Sequence, residues 1–254
     1  MKIKQLGIVS AGVALATLGT SAAQAALVVV PTGLNPGDQY RLVFVTAGTR
    51  NATSTNINDY NTFVTNQATG GTPGIDTALD TALNGAGFDL STITWKAIGS
   101  TSAVDARDNT GTNPSSTGVP IYLINGNKVA NNNADLWDGS LQHPINLQPN
   151  DVISSNLVWT GSVYLGTGLT QNQLGGGFFG SVAVGRADSV VFSDWIAQTT
   201  DVSSTAKSLY AMSSVLTVPG NQPAPVPVPE PSSLLGFITL GGLMLGGAVR
   251  KARK

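Results

Sequence analysis

Apolar positions recur along this chain with two periods, and near its two ends they run on without a charged residue. Tyr40-Arg41-Leu42-Val43-Phe44-Val45-Thr46 is β-branched and aromatic, which predicts a strand. Ile93 to Ile98, Val119 to Ile124, Leu157 to Val163, Ser189 to Phe192 and Leu209 to Val218 read likewise. Between the first two runs the period becomes helical. Ile57, Tyr60, Phe63, Val64 and Ala68 share one face with Asn56 placed as cap, and Ile75, Leu79, Leu83 and Ala86 form a second stripe. After Gly99, glycine-rich and asparagine-rich loops separate the strands. A strand, two helices and then short strands divided by long loops predict one α+β domain over Ala26 to Val218, long enough to enclose a sizeable core. The uneven spacing of Trp95, Trp137, Trp159 and Trp195 argues against propeller blades or a solenoid.

The unbroken runs lie outside that domain. Lys2 and Lys4 precede an apolar stretch from Leu6 to Leu18, and Ala23-Gln24-Ala25 has the small-x-small pattern that signal peptidase cuts. Met1 to Ala25 is therefore expected to be a secretory signal, with Ala26 as the first mature residue; an uncleaved first helix is the other reading. At the far end, Ser232 to Val249 carries no charge and would extend about 27 Å as a helix at ~1.5 Å per residue, just enough for a bilayer core of about 30 Å. Arg250, Lys251, Arg253 and Lys254 follow and hold that end on the cytoplasmic side. Before it, six prolines from Pro219 to Pro231 make a semi-rigid linker (219–227) and an extended Val228-Pro229-Glu230-Pro231 segment, together reaching about 40 Å at ~3.1 Å per residue.

The order Pro229-Glu230-Pro231, apolar helix, basic finish resembles the PEP-CTERM sorting domain of Gram-negative bacteria. The resemblance implies recognition by an exosortase, a membrane enzyme that cuts near the motif and passes its substrate to the cell surface or the extracellular matrix, often in strains that make exopolysaccharide and biofilm. Val228, Pro229, Glu230 and Pro231 would then be the processing motif, and the membrane a transient partner. Read without the resemblance, the same residues form a plain tail anchor on a proline-rich stalk, which leaves a permanently anchored protein facing the periplasm.

Removing both ends changes the charge. Between Ala26 and Pro231 seven cations face fourteen acids, so a chain of net charge −1 encloses an exported part of −7. Scattered cations on an acidic surface give no footprint for nucleic acid or for anionic lipid. Asn, Thr, Ser and Gly supply the remaining polarity, in keeping with an extracellular surface. With no cysteine, neither a disulfide framework nor an N-terminal lipid is available, so the domain rests on its core alone.

A second resemblance covers most of residues 40 to 217. Phe44-Val45-Thr46, Trp95-Lys96-Ala97-Ile98, Ala106-Arg107-Asp108, Val119-Pro120-Ile121-Tyr122-Leu123, Asn125-Gly126, Ala134-Asp135-Leu136-Trp137-Asp138-Gly139, Pro144-Ile145-Asn146, Val158-Trp159-Thr160-Gly161 and Leu209-Tyr210 are similar in succession to bacterial relatives of the endostatin-type C-type-lectin-like fold. The cysteines usual in that family are absent here.

Candidate chemistry is sparse. Trp95, Trp159, Trp195 and Tyr210 read as core anchors. Arg107 between Asp105 and Asp108 reads as a loop-fixing charge pair, and Asp135 to Gly139 as a turn locked by side-chain hydrogen bonds. The loops from Asp105 to Asn113 and from Asn131 to Asp138 hold oxygens that calcium would accept, but neither has EF-hand spacing, and no metal or cofactor is expected. His143 is the only histidine; there is no nucleophile elbow, phosphate loop or zinc-protease helix. The expectation is a non-catalytic adhesion or exopolysaccharide-binding protein. An exported carbohydrate-active hydrolase working through paired aspartates is the alternative.

Overall fold

The computed structural model describes residues 27–70, 77–191 and 193–220. The expected signal segment with Ala23 and Ala25, the linker beyond Gly220, the Val228 to Pro231 motif, the apolar run 232–249 and the basic residues 250–254 lie outside the described residues. Among the described residues no helix is long and apolar enough to cross a membrane.

Leu42-Val43-Phe44-Val45 offers apolar side chains to both faces of a strand, so it belongs at the centre of a sheet covered on both sides. It occupies that place as part of β1 (Gln39–Val45), whose last four residues are fully buried. The neighbouring central strand is β8 (Ser208–Ser213), antiparallel to β1 with Val43 opposite Met212 and Val45 opposite Tyr210. On the other side of β8 two strands follow one another: β5 (Leu157–Trp159) runs parallel to it and β2 (Trp95–Ala97) antiparallel. Beyond β1 lie β3 (Ile121–Leu123), parallel to it, and β4 (Lys128–Ala130). Beyond β5 lie β6 (Ser181–Arg186) and the edge strand β7 (Thr199–Val202). The short β9 (Leu216–Thr217) returns to the start of β1.

The expected strand from Leu209 to Val218 is thus two strands. Between them the pairing with β1 slips by one residue, a bulge, and the Ser213 hydroxyl accepts the Leu42 N–H at 2.9 Å within the interruption. Gly37 N donates to Val218 O and Val218 N to Asp38 O, so Val218 leaves the sheet beside the start of β1.

Both expected helices lie between β1 and β2. In α1 (Ile57–Thr69) the Asn56 side chain accepts from Asn58 N, Gly70 closes the last turn at φ 87°, and Ile57, Tyr60, Val64 and Ala68 are buried. Leu79 and Leu83 bury the face of α2 (Thr77–Gly85); Ile75 lies outside the described residues. Three one-turn helices complete the domain: α3 (Ala106–Thr110), α4 (Asn133–Leu136) and α5 (Asp194–Ala197). The result is a mixed domain of a nine-stranded sheet with few helices.

Aromatic rings fill both faces of the sheet. Phe44 meets Trp95 edge-on at 5.0 Å, and Tyr40 meets Phe88 and Tyr122. Trp195 lies between Trp137 and Tyr210, whose hydroxyl donates to the Trp195 carbonyl at 2.9 Å. Trp95, Trp159, Trp195 and Tyr210 are buried, as expected of anchors, and Trp137, read as part of a turn, is buried with them.

One expected strand is corrected. Residues 189–191 of the Ser189 to Phe192 run are not a strand; Ser189 N closes a turn on Arg186 O, Asp194 N closes another on Val191 O, and the chain passes into α5. β-branched Val190 and Val191 suggested pairing, but Val191 is exposed and meets no neighbouring strand.

Candidate functional site

Left-handed backbone is costly for a side chain larger than glycine, and such strain collects where a loop is held in one shape. Among the described residues three non-glycine residues adopt it: Asp151, Gln171 and Phe179. Two of them, Gln171 and Phe179, lie in the second half of the loop between β5 and β6. That loop also contains Gly175, Gly176, Gly177 and Gly180, all at positive φ. Phe179 stands two residues before β6 with 93% of its surface exposed.

The loop is pinned rather than slack. Leu174 N donates to Ser100 O at 2.8 Å, Gly175 N to Ala52 O at 2.9 Å, Ala183 N to Asn172 O at 2.8 Å, and Ser203 N to Gly180 O at 2.8 Å. Glycine is required for this approach: a Cβ on Gly177 would stand 2.2 Å from the Gln171 carbonyl oxygen, and one on Gly175 would meet Thr55 at 2.8 Å. Leu174 is buried and lies over Gly99 and the Thr160 carbonyl, anchoring the loop to the core.

Between this loop, the turn before α1 and the segment after β2 is a groove of about 330 Å³. Thr55, Ser102, Gln171, Gln173 and Leu174 line it with the backbone of Gly175 and Gly177. None of these groups ionises. Hydroxyls and amides both donate and accept, so the groove suits a neutral ligand bearing many hydroxyl groups.

A second cleft, of about 450 Å³, holds His143 together with Asn125, Asn127, Asn146, Asp151 and Ile153, the last 73% exposed. His143 Nδ1 lies 2.8 Å from the Lys128 carbonyl, which can only accept, so Nδ1 is the donor in that bond. One carboxylate and no hydroxyl line this cleft, so it offers His143 neither a serine nucleophile nor a paired acid.

The acidic loops spend their oxygens internally. Asp105 Oδ1 accepts Gly168 N at 2.8 Å while Oδ2 faces Arg107 at 3.9 Å, and Arg107 N donates to Gly166 O, so this pair ties α3 to the loop after β5. Asp135 Oδ2 accepts from Asn131 N, Asn131 Nδ2 and Gln142 Nε2, and Asp138 accepts from Ser140. Among the described residues no three His, Cys, Asp or Glu side chains gather as a metal site.

The sequence did not point to Gln171, Gln173 or Phe179. The signal was present in Gly175-Gly176-Gly177-Phe178-Phe179-Gly180, an aromatic pair in a frame only glycine tolerates. No protein-family model matches the chain, and no curated protein matches it.

Proposed function

We propose that this chain is an exported cell-surface or matrix protein, delivered by an exosortase through its PEP-CTERM tail and acting by adhesion to exopolysaccharide. The observation that carries the reading is the uninterrupted order Pro229-Glu230-Pro231, apolar run and basic finish behind a proline-rich linker. The exported domain is C-type-lectin-like in this reading, with short strands carrying long loops. The chain leaves the sheet at Val218, beside the start of β1, and the proline-rich linker follows directly, which suits a module held off a membrane by one stalk. Neutral amides and hydroxyls lining the groove support adhesion, and the single carboxylate of the His143 cleft favours it over hydrolysis.

The test is made in the native host. The mature protein is expected outside the cell, with a C-terminus, read by mass spectrometry, that lacks the basic residues 250–254. Glu230→Ala is expected to leave the chain membrane-bound and untrimmed. Release and trimming unaffected by that change would sink the proposal. An intact Lys254 in the wild-type protein would identify a permanently anchored periplasmic protein instead.

A further inference from the structure

We propose that the loop from Gln171 to Gly180 is a calcium-independent binding subsite for a neutral polysaccharide, with the Phe179 ring stacking on one pyranose and the adjoining groove taking its hydroxyls. The inference deepens the adhesion reading and rests on it for the ligand's location outside the cell.

Phe179 combines two unfavourable features. Its ring is 93% exposed and its backbone lies at φ 61°. Neither comes from a loose loop, because backbone hydrogen bonds hold the segment on both sides, to Ser100 and Ala52 before Phe179 and to Ser203 after it. An apolar residue on a strained, hydrogen-bonded backbone suits a binding surface, since little backbone freedom remains to be lost on contact.

The groove two residues away, at Gly177, selects the ligand class. An ionic ligand would find no countercharge among the residues lining it. A lipid chain would leave the Gln171 and Gln173 amides and the Thr55 and Ser102 hydroxyls unpaired. A neutral sugar satisfies both halves of the site. The C–H face of a pyranose is apolar and matches the negative face of an aromatic ring, while its equatorial hydroxyls both donate and accept. At about 330 Å³ the groove lies within the range of small-ligand sites, about 300–1,000 Å³.

The purified full chain in detergent would be presented to immobilised neutral glucans, galactans and mannans beside polyuronates and sulfated glycans, with and without EDTA. Retention on a neutral glycan, unchanged by EDTA, is expected. Phe179→Ala should weaken it at least tenfold while Phe179→Tyr and Phe179→Trp retain it. Phe179→Gly should abolish binding yet raise the melting temperature, because glycine relieves the left-handed backbone; a merely structural ring would lower it. No retention on any neutral glycan by folded wild-type protein, retention only on charged glycans, loss with EDTA, or undiminished binding by Phe179→Ala would each overturn the proposal. So would a self-associated species in sedimentation that Phe179→Ala dissolves, which would assign the ring to a second copy. Because the assay uses unsorted protein, its outcome is independent of Glu230 and of tail processing.

Discussion

The side-chain amides of Asn61 and Asn109 face each other in a reciprocal pair, each donating to the other's oxygen at 2.9 Å, and together they close the outer edge of β2. Asn61 Oδ1 accepts the Ala97 N–H at 2.9 Å and Asn109 Nδ2 donates to the Ala97 carbonyl at 2.8 Å. Two side chains from α1 and α3 thus take the place of a further strand beside Ala97.

Asn61→Leu should therefore cost about 2–3 kcal/mol, since it leaves the Ala97 N–H and the Asn109 amide without their buried partners. Asn109→Leu should cost a similar amount. The double variant should lose less than the sum, as both changes break one network. Urea unfolding of the three variants measures this, and additive losses would contradict a shared network.

The same substitution at two glycines should act in opposite directions. A Cβ on Gly185 would lie 2.0 Å from the Trp195 carbonyl oxygen and 2.8 Å from Ile196 Cα, so Gly185→Ala must push α5 off β6 at a cost of about 1–3 kcal/mol or more. Gly85 ends α2 with nothing within 4 Å of its Cβ position, and Gly85→Ala should stabilise by about 0.5–1 kcal/mol. Thermal melts of both variants settle the contrast.

Leu174→Ala should destabilise the domain by about 2–5 kcal/mol by emptying the space over Gly99 and Thr160. It should also expose the glycine-rich loop to limited proteolysis. Phe179→Ala, at an exposed position, should do neither. Protease digestion with mass-spectrometric mapping distinguishes the two.

Stability should fall at both extremes of pH. Hydrogen bonds from Lys207 to Asp201, from Arg186 to Asp188 and from Ser91 to Asp89 hold these three carboxyls below the usual range. The unfolded chain then binds more protons than the folded one, so their contribution is complete above the ordinary carboxylate value of about 4 and is lost as the pH falls below it. At the alkaline end burial raises Tyr40 and Tyr210 and pushes Tyr60 up to about 12. An unfolded tyrosine ionises near 10, so stability should decline as the pH rises from about 10 towards 12. Denaturation midpoints across pH, with phenolate absorbance at the alkaline end, check both limbs.

Some elements were legible because their burial follows one simple period. β1 is apolar on both faces, and α1 announces itself by Asn56 and a stripe on one face. Others were not. β7, Thr-Thr-Asp-Val, is largely exposed and owes its strand form to pairing with β6. β4 has three residues and lies across the Asn125-Gly126 turn from β3, and β6 follows a glycine run that reads as loop. The groove was invisible for a different reason: Thr55, Ser102 and Gln171 to Gly177 come from three loops far apart in the chain.

The sequence by itself determined the elements whose burial follows one local period: the capped helix, with its stripe on one face, and the strand that is apolar on both. Local periodicity is enough for those. Only the tertiary structure decided the sheet order, the bulge at Ser213, the turn that replaces a strand at Ser189, the exposure of Phe179 and the neutral groove that reaches Gly177. Each of these depends on which distant backbone satisfies a given N–H or carbonyl, and that choice is made by long-range packing, which no local pattern encodes.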